Sequence, residues 1–199
     1  MWKVSRQFIQ LGISCLLLGL SSPSFAQAIL TKTGASFPMF NGADISAWKP
    51  SGNATWIVNN QEVDVTQGAG TLVSKLSVPD FQVEFDYWVS NNAQASIYFR
   101  CTNTNSINAE TAYEVPLTNQ SKTVGAGSIR LLSNLRDSQV AQQWNHILIS
   151  GNGSQLSVTL NGVVNQAVDT RHNKGPIAID FQGGELRLKN MNFIIPGRW

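Results

Sequence analysis

The sequence predicts one all-β domain, a two-sheet antiparallel sandwich of the jelly-roll type. Short runs of alternating apolar and polar residues recur at intervals of roughly 8–12 residues. Gly, Asn and Ser separate these runs, and no segment from Gln27 onward keeps apolar residues at helical spacing over several turns. About a dozen short strands joined by turns are typical of sandwiches of this type.

The first 26 residues are predicted to be a secretory signal peptide. Lys3 and Arg6 form its basic start, Leu11–Leu20 is its apolar stretch, and Ser24–Ala26 supplies small residues around the cleavage point. The apolar stretch is too short to span a bilayer comfortably. We therefore expect an exported protein without a transmembrane anchor after cleavage, with residues 27–199 forming a single domain.

Charge and cysteine content narrow the function classes. Lys3 and Arg6 account for the formal net charge of +2, so the remainder of the chain is neutral and has no basic cluster for nucleic acid.

Cys15 stands in a short lipoprotein-like sequence, but the apolar run continues beyond it, which disfavours lipidation. Cys101 then has no internal disulfide partner, and we expect a buried, inert thiol.

The segment Asp80–Val89 is predicted to be a long strand at the centre of the domain. Its aromatic and β-branched residues alternate strictly with polar ones, which indicates one face in a core. Glu84, Asp86 and Trp88 fall on the other face.

A second central strand is predicted over Ala95–Cys101, after a polar turn at Asn91–Gln94. Tyr98 and Arg100 alternate with its core residues, as does Ser96. We expect the two strands to be adjacent, so that their polar residues share one surface, and we expect function there.

The clearest hairpin is predicted at Asn161-Gly162, because these residues accept the positive φ angles of a type I′ turn. The other predicted strands are Thr55–Val58, Glu62–Val65, Thr71–Ser74, Ala112–Val115, Ser128–Leu132, Trp144–Ile149, Gln155–Leu160, Ile177–Phe181 and Leu186–Phe193.

Several phrases resemble the 3-keto-disaccharide hydrolase domain family, in that family's order. Phe40–Trp48 resembles its opening "LFNGKDLSGW", and Asp80–Phe85 resembles its "DFELRLEF" strand. The other matches are Ser96–Arg100 with "SGIFLR", Tyr113–Leu117 with "YEVQIL", Trp144-Asn145 and Leu160–Gly162 with "WN…LNG", and Gly175–Ile179 with "GPIGLQ".

The resemblance implies a concanavalin-like, lectin-like jelly roll with a saccharide site in its concave face. It also implies bacterial envelope proteins, periplasmic or extracellular, that cleave glycosides already oxidised to a ketone at C3. The chain departs from the family at three polar positions. Asp180 stands at the family's Gln, Gln182 at its His, and Pro116 at the Gln of "YEVQ".

The implied reaction needs a base and an electrostatic partner. A C3 ketone acidifies the proton at C2, so a base can remove that proton and the C1 oxygen can leave by elimination. Glu114 is the candidate base and Arg100 the candidate partner for the enolate oxygen. The alternatives are a surface or structurally paired Glu114, and an Arg100 that forms a salt bridge with Glu84 or Asp86.

His172 is the third catalytic candidate, because it precedes Gly175-Pro176 and the family's His position holds Gln182. His146 is expected to be packed or at the surface. Trp88 and Tyr98 are candidates to stack on or bind sugar rings. The remaining candidate substrate-binding residues are Glu84, Asp86, Arg130, Asp180 and Gln182.

No cofactor is required by the sequence, which lacks a His/Cys cluster with ligand spacing. A divalent cation held by carboxylates is compatible with it. We expect a saccharide or keto-saccharide ligand and a monomer.

Three functions stay open: a hydrolase or lyase for 3-keto-glycosides, a lectin-like binding domain, and an envelope interaction module without a sugar ligand. A two-carboxylate glucanase is disfavoured, because Val89 stands where that motif after Glu84 and Asp86 needs a Glu.

Overall fold

The protein folds into thirteen β-strands in the computed structural model, which describes residues 34–59, 61–136 and 139–197. These described residues contain no helix. The predicted signal peptide lies outside them. The strands are β1 (Ala35–Pro38), β2 (Trp48–Gly52), β3 (Trp56–Asn59), β4 (Glu62–Val65), β5 (Gly70–Val78), β6 (Phe81–Val89), β7 (Gln94–Phe99), β8 (Tyr113–Pro116), β9 (Trp144–Asn152), β10 (Gln155–Leu160), β11 (Val163–Val168), β12 (Gly175–Gly183) and β13 (Leu186–Ile195).

The strands form two antiparallel sheets. The eight-stranded sheet has the order β11-β10-β9-β6-β13-β4-β3, and β1 pairs with β13. The five-stranded sheet has the order β2-β5-β12-β7-β8. The prediction of an all-β, two-sheet jelly-roll sandwich is confirmed.

The core lies between the two sheets and follows the predicted alternation. Every second residue of β6, from Phe81 to Val89, is buried. Phe81 meets Phe99 of the opposite sheet at 5.7 Å between ring centroids. Burial of such aromatic and aliphatic surface is the main driving force for joining the sheets.

The predicted adjacency of the two central strands is wrong. Strand β6 belongs to the eight-stranded sheet and β7 to the five-stranded sheet, so residues 90–93 carry the chain across the sandwich instead of closing a hairpin. Both strands bury their apolar residues in the shared core. Their polar faces therefore point in opposite directions, and Trp88 and Tyr98 lie on opposite sides of the molecule.

The predicted strand Ser128–Leu132 is also absent. Ile129 and Ser133 form an isolated bridge, and Leu131 adopts a positive φ of 68°, which turns the chain. This loop covers the open edge of β8, where the backbone N–H of Arg130 donates to the carbonyl of Glu114 at 2.9 Å. Together with the N–H of Gly127, which donates to the carbonyl of Pro116, it satisfies these two edge carbonyls without another strand.

Two local predictions are confirmed. Asn161 and Gly162 have φ angles of 49° and 85° and join β10 to β11. Cys101 is a buried free thiol, and burial raises its pKa to about 12. Within the described part of the chain, no helix is long and apolar enough to cross a membrane.

Candidate functional site

A polar pocket of about 540 Å³ opens on the outer face of the five-stranded sheet. Strands β8, β7 and β12 lie side by side there, because Tyr98 pairs with Glu114 and Ser96 pairs with Asp180. We call it the Glu114 pocket. Its polar lining includes Ser96, Tyr98, Glu114, Gln120, Asp180 and Gln182.

Glu114 is a buried carboxylate with several donors around it. Only 5% of the residue is exposed. Its Oε1 accepts hydrogen bonds from Ser96 Oγ at 3.0 Å and Gln120 Nε2 at 3.1 Å. Arg130 Nε lies 3.5 Å from Oε2, and its guanidinium also donates to Gln120 Oε1. An ionised carboxylate only accepts hydrogen bonds, so these donors fix the orientation of Glu114. A carboxylate held in this way can take a proton from a bound ligand.

Tyr98 stands beside Glu114 on the neighbouring strand and is a hydrogen-bond donor in the pocket. Burial raises the pKa of its phenol above the ordinary value, and the negative charges of Glu114 and Asp180 raise it further. The hydroxyl therefore stays protonated at neutral pH. It can donate a hydrogen bond to an oxygen that becomes negative.

Asp180 and Gln182 form the other wall of the pocket. Thr71 Oγ1 donates to Asp180 Oδ1 at 2.9 Å, and Gln182 Nε2 lies 2.9 and 3.0 Å from the two carboxylate oxygens. Gln182 therefore anchors Asp180. In the sequence resemblance it stands where the family has His. No histidine lines this pocket among the described residues.

Arg100 is not on the polar face predicted for it, and this placement is a correction. Strand β7 ends at Phe99, and Arg100 has a φ of 54°, which breaks the alternation. Its guanidinium is buried and donates to the carbonyls of Pro79, Gly153 and His172 at 3.0, 2.7 and 3.2 Å. The predicted pairing with Glu84 or Asp86 is also wrong, because its acidic neighbour is Asp80, at 3.7 Å.

His172 packs with Arg100 and lies apart from the Glu114 pocket. Its ring is buried edge-on against Tyr113 at 4.9 Å, and Tyr113 points to the side of β8 opposite Glu114. Burial lowers the pKa of His172. The structure therefore does not bring Arg100 or His172 to Glu114.

Trp88, Glu84 and Asp86 lie on the outer face of the eight-stranded sheet. Arg187 stacks over the Trp88 ring at 5.2 Å. Asp86 contacts His146 Nδ1 at 2.9 Å and accepts from Asn190 Nδ2 at 2.7 Å. Of the ten predicted site residues, the structure gathers Tyr98, Glu114, Asp180 and Gln182 in the Glu114 pocket. Arg130 contacts Glu114 from an adjoining depression that Tyr98 and Glu114 also line.

Two residues that donate hydrogen bonds to Glu114 were missed from the sequence. Ser96 precedes Tyr98 by two residues and shares its face of the strand, and this phase was a usable signal. Gln120 lies in a loop after β8 and carries no signal of its own. In the described residues no three His, Cys, Asp or Glu side chains gather as a metal site. A carboxylate-bound cation stays a prediction.

Solved structures share the fold. A candidate glycosyl hydrolase from Parabacteroides distasonis ATCC 8503 superposes with a TM-score of 0.68 at 14% identity, over 81% of this chain and 93% of that chain. The carbohydrate-binding module CBM66 from Bacillus subtilis gives 0.60 at 16% identity, over 75% and 96%. A Bacillus subtilis protein of unknown function with a galectin-like fold gives 0.60 at 12%, over 83% and 98%. At these identities the likeness concerns the fold.

Similarity in sequence is more specific than the likeness in fold. Among curated proteins no sequence relative was found. The match to the 3-keto-alpha-glucoside-1,2-lyase-like domain extends over residues 36–194, nearly all of the described chain. This match confirms the resemblance drawn from the sequence phrases, and the chain belongs to the 3-keto-alpha-glucoside-1,2-lyase-like domain family.

Proposed function

We propose that this protein cleaves a 3-keto-glycoside by elimination in the Glu114 pocket, outside the cytoplasm. Glu114 acts as the base for the C2 proton. Arg130 and the Tyr98 hydroxyl face the C3 oxygen as it becomes an enolate. Arg130 takes the role that the sequence suggested for Arg100, since its guanidinium lies within 3.5 Å of the Glu114 carboxylate.

The bond changes follow from the acidity of the C2 proton. Glu114 takes this proton, and the C2–H electron pair forms a C2=C3 bond as negative charge moves to the C3 oxygen. The enolate then restores the ketone, forms C1=C2 and expels the glycosidic oxygen. The leaving oxygen takes a proton from water, the resulting hydroxide adds at C1, and Glu114, whose carboxyl proton exchanges with solvent, protonates C2.

The observation that carries this proposal is the environment of Glu114. A nearly buried carboxylate lies next to a cation and a protonated phenol, at the position that matches the family's "YEV" phrase. The base for the C2 proton and the groups that stabilise the C3 oxygen must act within a few ångströms of each other, and Glu114, Tyr98 and Arg130 are this close. The carbohydrate-related structures of the same fold support a sugar ligand.

The test compares a 3-keto α-linked glucose disaccharide with its unoxidised parent. Wild type should release sugar from the keto substrate alone and exchange its C2 proton with deuterium from solvent. Glu114→Gln keeps the shape and removes the basicity, so both rates should fall by about 10²–10⁴. Glu84→Gln, which removes a carboxylate from the outer face of the eight-stranded sheet, is the matched control. Cleavage of the parent sugar alone would exclude elimination.

A lectin-like domain without turnover is the second candidate. The hydrogen bonds of Gln182 to Asp180 favour it, because the pocket has an anchored amide at the family's His position. Calorimetry with both disaccharides distinguishes the two functions. Binding without cleavage or C2 exchange would support the lectin-like domain.

A further inference from the structure

A second groove, of about 750 Å³, lies on the outer face of the eight-stranded sheet. It is on the opposite side of the sandwich from the Glu114 pocket, because the two sheets turn their outer faces away from a common core. We call it the amide groove. Its polar residues are Gln82, Ser150, Asn152, Gln155, Ser157 and Gln166.

The register of four strands builds the floor of this groove. Gln82 of β6 pairs with Ser150 of β9, Ser150 with Ser157 of β10, and Ser157 with Gln166 of β11. These four side chains therefore form a transverse row, with neighbours at the strand spacing of about 4.8 Å. Gln155 adds a second row next to them, between Asn152 and Val168.

The chemistry of the lining is uniform. No charged residue lines the groove among the described residues. None of its six polar side chains makes a hydrogen bond within the described chain, whereas Glu114, Gln120, Asp180 and Gln182 in the other pocket are bonded to each other or to neighbours. The amide groove thus presents uncommitted donors and acceptors over a broad surface.

This lining discriminates between ligand classes. A charged ligand would lose hydration and find no counter-ion, and an apolar ligand would cover amide and hydroxyl groups without satisfying them. A neutral chain of hydroxyl groups satisfies both requirements, since each hydroxyl donates one hydrogen bond and accepts others. The exposed Val168 and Pro196 at the rim can meet the C–H faces of sugar rings.

We propose that the amide groove is a second saccharide-binding site, for a neutral, unoxidised oligosaccharide. It would hold a glycan on the face opposite the catalytic pocket. The proposal does not depend on keto-sugar cleavage, because it rests on residues that take no part in that reaction.

Nuclear magnetic resonance tests the site directly. The side-chain amide signals of Gln82, Asn152, Gln155 and Gln166 are followed in the Glu114→Gln protein as maltohexaose, cellohexaose or hexagalacturonate is added. A neutral hexasaccharide should shift these signals, and the charged one should not. Absence of shifts in the groove with both neutral chains, or equal shifts with hexagalacturonate, would overturn the proposal.

Two variants give the matched comparison. Ser157→Tyr fills the groove and should abolish these shifts, whereas Thr159→Tyr lies on the same strand and face outside the lining and should leave them. The double variant Gln155→Ala/Gln166→Ala should weaken binding by about tenfold, the effect of losing one or two hydrogen bonds. Equal loss in Ser157→Tyr and Thr159→Tyr would contradict a site in the groove.

Discussion

The hydroxyl of Ser96 donates a 3.0 Å hydrogen bond to Oε1 of Glu114 across the β7–β8 pair. Both residues are about 95% buried, so little water competes for this bond. Gln120 donates to the same oxygen, which leaves Oε2 beside Arg130. Ser96 therefore orients the carboxylate that we propose as the base.

Ser96→Ala should lower kcat for the keto-disaccharide by about ten- to hundredfold with little change in KM. A hydrogen bond to a charged group has this magnitude, and the lost contact affects the base more than substrate binding. Ser74→Ala is the control, because the Ser74 hydroxyl also bonds within this sheet, donating to the carbonyl of Leu76 and accepting from the N–H of Ile177. Equal kcat in Ser96→Ala and wild type would show that Ser96 does not position the Glu114 carboxylate.

Arg130→Lys should slow C2 proton exchange by about 10–100-fold, because a point charge does not reproduce the planar fork that reaches both Glu114 and Gln120. Arg171→Lys is matched to it, since the two arginine side chains are 41% and 43% exposed and each contacts one carboxylate. Comparable losses in both variants would indicate a general charge effect.

The fold was largely predictable because period-2 alternation reports directly which residues face a core. The sequence could not show to which sheet a strand belongs. The turn at Asn91–Gln94 reads as a hairpin, yet β6 and β7 pair with different partners through contacts that are distant in sequence. That one error joined Trp88, Glu84 and Asp86 to a site on the opposite face.

The candidate site was predictable where the alternation of inward and outward side chains continues along a strand. Tyr98, Glu114 and Asp180 keep their phase and converge. Arg100 does not, because its positive φ reverses the direction of its side chain into the interior. Gln120 reaches Glu114 from a loop, and no local pattern specifies such an approach.

Arg100→Met should destabilise the protein by about 2–4 kcal/mol, because the carbonyls of Pro79, Gly153 and His172 lose a charged donor whose own side chain is buried. Asp80→Asn should cost less than about 1 kcal/mol, since the Asp80 side chain is 47% exposed. Urea unfolding measures both, and activity per folded molecule should be unchanged in each. Lost activity in folded Arg100→Met would restore the catalytic role first predicted for this residue.

Asp169 should make stability depend on acid pH. Burial disfavours its charge, but hydrogen bonds from Tyr113 Oη at 2.7 Å and the Arg171 backbone at 2.8 Å outweigh burial and lower the pKa of Asp169 below 3.8. A carboxyl whose pKa is lower in the folded state stabilises the fold above its unfolded pKa. That contribution is lost as pH falls through the folded value.

Asp169→Asn should therefore flatten the fall in unfolding free energy between roughly pH 5 and pH 2, and Tyr113→Phe should flatten it in part. Urea unfolding at several pH values measures the slope. Glu110→Gln controls for net charge, because the Glu110 carboxylate is exposed and has no hydrogen-bond partner in the described chain. A slope in Asp169→Asn equal to that of wild type would show that this carboxylate contributes nothing to acid sensitivity.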